Sequence, residues 1–107
     1  MATMPDMYAE PAEIEAWDRT LRHKAIRKLH LASWAEQEGD DTDAIKAVRT
    51  AISFLAQMTE PPSDVFPHLA KMINNIWASD RIGPEMGLAL TLLIKEGEEV
   101  RHIPSPF

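Results

Sequence analysis

The sequence predicts an all-α fold, a small four-helix bundle-like domain with one long N-terminal helix and irregular N- and C-terminal tails. Three observations carry this expectation. Apolar residues recur at steps of three and four in four separate stretches, the spacing that lines one face of a helix. No alternating run of β-branched or aromatic residues lies between turn residues, and no Asn-Gly or Asp-Gly pair marks a hairpin. A chain of 107 residues with an apolar share of 45% and a charged share of 26% suits one packed core and is too short to divide it. One helical domain is therefore expected over residues 11–100, between a flexible segment at residues 1–10 and an extended tail at 101–107, where Pro104 and Pro106 oppose regular structure.

The first helix is expected over about residues 11–38. Pro11 suits the first turn, Glu13 and Glu15 favour the positive end of the helix dipole, and Gly39 provides a left-handed stop. Ile14, Trp17, Leu21, Ala25, Leu29 and Ala32 form its apolar stripe. The second, over about residues 43–59, follows the capping candidates Asp40, Asp41 and Thr42. Ile45, Val48, Ile52 and Leu55 define its buried line, Ala44 and Ala51 allow close approach, and Pro61-Pro62 ends it. Phe54 projects away from that line.

The third helix, over about residues 64–79, is opened either by Ser63 as a cap or by Pro67 after a short turn, and it gathers Leu69, Met72, Ile73, Ile76 and Trp77 on one side. The fourth, over about residues 84–96, begins at Gly83-Pro84 and is apolar nearly all round, which suits a central or interface helix. At about 1.5 Å per residue the first helix is near twice the length of the others. Either a partner chain covers the excess or the last two helices pack along the hairpin made by the first two.

Several chemistries lack the residues they need. The absence of cysteine excludes disulfides, thiolate metal ligands and thiol nucleophiles. The four glycines are isolated, so no phosphate-cradling loop is present. Glu99 and His102 have the Glu-x-x-His spacing of carboxylate-bridged metal sites, but one such pair does not make a centre. Asp64 and His68 stand at i,i+4 without a nucleophile motif beside them, and a local charge pair accounts for them better. No catalytic residue, metal ligand or cofactor site is assigned. No apolar stretch approaches the roughly 20 residues that span a bilayer, residues 1–10 lack the features of a secretory signal, and a cytoplasmic location is expected.

The most specific local feature is the outer face of the first helix, where Arg19, His23, Arg27, His30 and Trp34 fall on a line opposite Ile14 and Leu21. Arg19, Arg22, Lys24, Arg27 and Lys28 concentrate positive charge there in a chain whose net charge is −6. A solvated face laced by the i,i+4 pairs Glu15–Arg19 and Asp18–Arg22 is the plain alternative. The sequence thus points to a non-enzymatic helical protein–protein interaction module, a small accessory or regulatory protein. It would act through this face, with Trp34 as an apolar anchor, or through a homodimer interface on the fourth helix. A nucleic-acid-binding regulator using the basic belt and an acidic inhibitor or decoy are the rival expectations. The overall acidity disfavours the first, and the intermixing of lysine and arginine disfavours the second.

Overall fold

The computed structural model describes residues 10–94, and every regular element among them is a helix. In chain order these are α1 (Pro11–Gln37), α2 (Asp41–Ala56), α3 (Phe66–Trp77) and α4 (Gly83–Leu93). The first packs on the second, the second on the third, the third on the fourth and the fourth on the first, so the contacts close into a ring around one core. The segments expected as a flexible N-terminus and an extended tail lie outside the described residues, apart from Glu10.

The hairpin of α1 and α2 is sealed by small side chains. Ala25, Ala32 and Ala35 on α1 and Ala44, Ala47 and Ala51 on α2 are all buried, which lets the two backbones approach closely. Ile26, Leu29, Val48 and Leu55 fill the space beside this seam. The turn between them is a left-handed cap. Gly39 sits at φ +79°, the Asp40 N–H bonds the Ala35 carbonyl at 2.8 Å, and the Gly39 N–H bonds the Glu36 carbonyl at 3.0 Å. Of the three capping candidates, Asp40 serves, its carboxylate accepting the Asp43 N–H at 3.0 Å.

The helix ends depart from expectation by a few residues, each for a local reason. α1 stops at Gln37 because the cap takes over its last carbonyls. α2 begins at Asp41, directly after its Asp40 cap, and ends at Ala56 rather than near residue 59. There the Asp18 carboxylate captures the next free donors: Oδ1 accepts the Thr59 N–H at 2.8 Å, and Oδ2 accepts the Thr59 hydroxyl at 2.7 Å and the Glu60 N–H at 3.3 Å. α3 starts at Phe66 with Pro67 in its first turn, which decides between the two openings in favour of the proline. It ends at Trp77 in a second left-handed cap built on Ser79 at φ +58°. α4 runs from Gly83 to Leu93, and Ile94 is extended. No side chain of its own caps it; the Glu36 carboxylate on α1 accepts the Ile82 N–H at 2.9 Å instead.

The core departs from the expected stripes at their edges. Ile14 and Trp17 are only partly buried, and the Trp17 ring nitrogen donates to the Gln57 carbonyl just after α2 at 3.2 Å. Ile45 and Ile52 flank the alanine seam as half-buried shoulders. Trp77, expected in the core, is 70% exposed, since it stands at the last position of α3 and about 100° around from Ile76. Three residues of the connectors that were not among the expected apolar lines, Met58, Val65 and Ile82, are also buried.

Candidate functional site

The line of residues opposite the α1 core is real in geometry. α1 is one uninterrupted helix of 27 residues, with Leu21, Ala25, Ile26, Leu29, Ala32 and Ala35 turned inward. Arg19, Arg27, His30 and Trp34 are exposed on the other side, and His23 is partly buried. Trp34 is 44% exposed, an uncommon state for so large an apolar ring.

The positive charge expected along this face is dispersed by the packing. Arg22 faces inward at 5% exposure, one helical turn from the fully buried Ala25 and Ile26. Lys24 leans toward α2, its ammonium 5.8 Å from the centroid of the Phe54 ring, which also accounts for the direction in which Phe54 projects. Lys28 borders a groove between α1 and α2. Arg19 reaches Glu15 at 3.7 Å in an exposed pair of the kind that contributes little. Asp18, expected to pair with Arg22, is turned to Thr59 and Glu60 instead. Arg27 and His30 remain as the outward-facing basic groups in the middle of the face.

The groove that Lys28 borders holds about 410 Å³. Its α1 wall carries Lys28, Leu31, Trp34, Ala35 and Glu38, and its other wall carries Asp40, Asp43, Lys46, Ala47 and Thr50. An antiparallel hairpin pivoting on Gly39 places residues equally distant from the turn face to face. The acidic Glu38, Asp40 and Asp43 therefore lie near the turn, Lys46 stands one helical turn along from Asp43, and Lys28 and Thr50 lie at the far end. Among the described residues the close contacts between basic and acidic side chains are Arg19–Glu15 and His68–Glu85, and neither involves a groove residue. The sequence reading reached Trp34 but missed the opposite wall. A hairpin register built outward from Gly39 is the signal that locates it.

His68 and Glu85 meet at 2.7 Å between α3 and α4, each largely buried. His68 is thus engaged by an acid from the neighbouring helix rather than by Asp64, one turn before it in the sequence. A second hollow of about 440 Å³ lies where the end of α1 meets the α3–α4 turn, lined by Glu36, Gln37, Asp41, Ile76, Ser79, Asp80 and Arg81. Among the described residues no three His, Asp or Glu side chains gather closely enough to hold a metal ion. The Glu99 and His102 pair lies outside those residues. No described helix is long and apolar enough to cross a membrane. No protein-family model matches this chain, and neither a curated protein nor a solved structure is significantly similar to it.

Proposed function

We propose that this protein is a non-enzymatic interaction module that docks a protein partner on the outer face of α1, with Trp34 as the anchor and Arg27 and His30 as flanking contacts. The observation that carries the reading is Trp34 itself, 44% exposed on a rigid helix and bordering a groove of about 410 Å³. A large ring held half in water is the residue type that dominates binding energy once a partner desolvates it. The polar groups elsewhere are consistent with a scaffold: Asp18, Glu36, Asp40 and His68 use their hydrogen bonds to tie helices and connectors together. A regulatory or accessory role follows from such a module.

The test is a quantitative pull-down from the native host with the wild type and the Arg27→Ala/Trp34→Ala double variant. The expected outcome is loss of the partner with an unchanged helical circular dichroism spectrum. An identical set of partners with an intact fold removes this face from the function.

A second reading, a homodimer through α4, is favoured by a separate observation. Leu88 and Leu92, one turn apart on the outer side of α4, are 50% and 47% exposed, and no ionisable residue lies from Met86 to Ile94. Two copies of an acidic chain meet at least cost on an uncharged face. Light scattering on the wild type and Leu88→Glu separates the possibilities: a concentration-dependent dimer abolished by the glutamate supports it, and a strict monomer ends it.

A further inference from the structure

The outer side of α4 is made of two rows of side chains whose shapes fit each other. Met86, Ala89 and Leu93 are buried and fix the inward side of the helix. At about 100° per residue the opposite side is shared by Pro84, Leu88 and Leu92 in one row and Gly83, Gly87 and Thr91 in the next, each row stepping by four positions. All six residues are exposed, Leu88 at 50% and Leu92 at 47%. The first row is a bulky ridge. The second is a trough, since a Cβ added at Gly83 or Gly87 would meet nothing within 4 Å. The one hydroxyl in the trough is already satisfied, Thr91 Oγ1 donating to the Gly87 carbonyl at 2.8 Å, so covering it strands no donor. The acid on this helix, Glu85, is turned aside to His68 at 2.7 Å.

We infer that a second copy of this chain docks on this face, the two α4 helices crossing about a two-fold axis with the leucine ridge of each lying in the trough of the other. The inference rests on the proposed α4 homodimer and gives that contact a geometry. A two-fold contact requires one patch to be complementary to itself. A ridge beside a trough on the same face meets that condition, whereas a leucine row alone would fit any apolar surface. Four-step ridges packed on both sides set the crossing near about −50°. Each copy carries a net charge of −6, and no ionisable residue lies from Met86 to Ile94, so the copies meet there without burying a charge. With 11 residues α4 is about 16 Å long, which places the contact among small interfaces and makes the dimer weak and concentration-dependent.

Sedimentation equilibrium of the full chain from about 10 µM to about 1 mM, the range suited to so small an interface, tests this on the wild type and three variants. Gly87→Leu decides the geometry. It adds apolar surface at an exposed position and removes a glycine from a helix, so non-specific association would strengthen and the monomer would gain helical stability. A close crossing predicts the opposite sign: the filled trough excludes the partner's ridge, and the dissociation constant is expected to rise about tenfold or more. Thr91→Leu fills the same trough and is read in the same way if Gly87→Leu alters the circular dichroism spectrum. Leu88→Glu should abolish the dimer. A dimer lost with Leu88→Glu but kept or strengthened by the trough variant overturns the crossing and leaves the α4 contact standing. A dimer indifferent to Leu88→Glu, or a wild type monomeric throughout, overturns both.

Discussion

The two helical hairpins solve the same problem with different materials. α1 and α2 meet through six buried alanines, turn on Gly39, and are clasped at the far end by three hydrogen bonds to Asp18. α3 and α4 bury large side chains, Leu69, Met72, Ile76, Met86 and Leu93, and turn on Ser79. Both turns use the same cap: the Asp80 N–H reaches the Asn75 carbonyl at 2.7 Å and the Ser79 N–H reaches Ile76 at 3.1 Å, as Asp40 and Gly39 do in the first turn. The second hairpin is held by the His68–Glu85 contact and by Glu36 from α1, and it leaves Trp77, Leu88, Leu92 and Ile94 exposed. The first hairpin holds Trp34 at 44% exposure beside its close-packed seam, whereas the second leaves several large apolar side chains exposed.

The comparison is broken most severely in the part of the core beneath the first hairpin. Leu29→Ala, at a position with no exposure, is expected to destabilise the protein by about 2–5 kcal/mol, measured by urea unfolding. A cost below that of a surface substitution would show that the α1 seam is not the centre of the core. Ala51→Leu adds volume where two backbones are close and should cost about 1–3 kcal/mol, while Leu88→Ala on the outer side of α4 should leave stability nearly unchanged. Equal effects at the two sites would erase the distinction between the hairpins.

Smaller effects sharpen it. Asp18→Ala removes an acceptor of three hydrogen bonds and leaves the Thr59 and Glu60 donors to water, at a cost of about 1–3 kcal/mol. The accompanying readout is faster amide exchange at Thr59 and Glu60. The turns give the most direct contrast. Ser79→Gly should stabilise by about 1 kcal/mol, since a left-handed residue with a Cβ is strained, and Gly39→Ala should destabilise by a similar amount. Shifts of the same sign in thermal unfolding would show that the two caps are not equivalent.

Much of the candidate surface was legible because Arg27, His30 and Trp34 lie far around the helix from Leu21 and Leu29, where no plausible packing would cover them. Lys24 and Lys28 were not legible as part of a different surface. They stand at the shoulder of the stripe, and only the position of α2 assigns one to Phe54 and the other to the groove.

By itself the sequence determined the four helices found among the described residues, the unusual length of the first, its glycine stop and the absence of strands among those residues, because these depend on periodicity, capping and backbone freedom within a few residues. Only the tertiary structure decided which flank of each helix is covered. Periodicity identifies a face without naming its neighbour, and a helix apolar nearly all round, such as α4, carries little angular information. Thus Arg22 is buried, Trp77 is exposed, Asp18 closes the end of α2 and Glu36 caps the start of α4. Each of these outcomes depends on packing or hydrogen bonds between residues far apart in the chain, beyond the reach of local spacing.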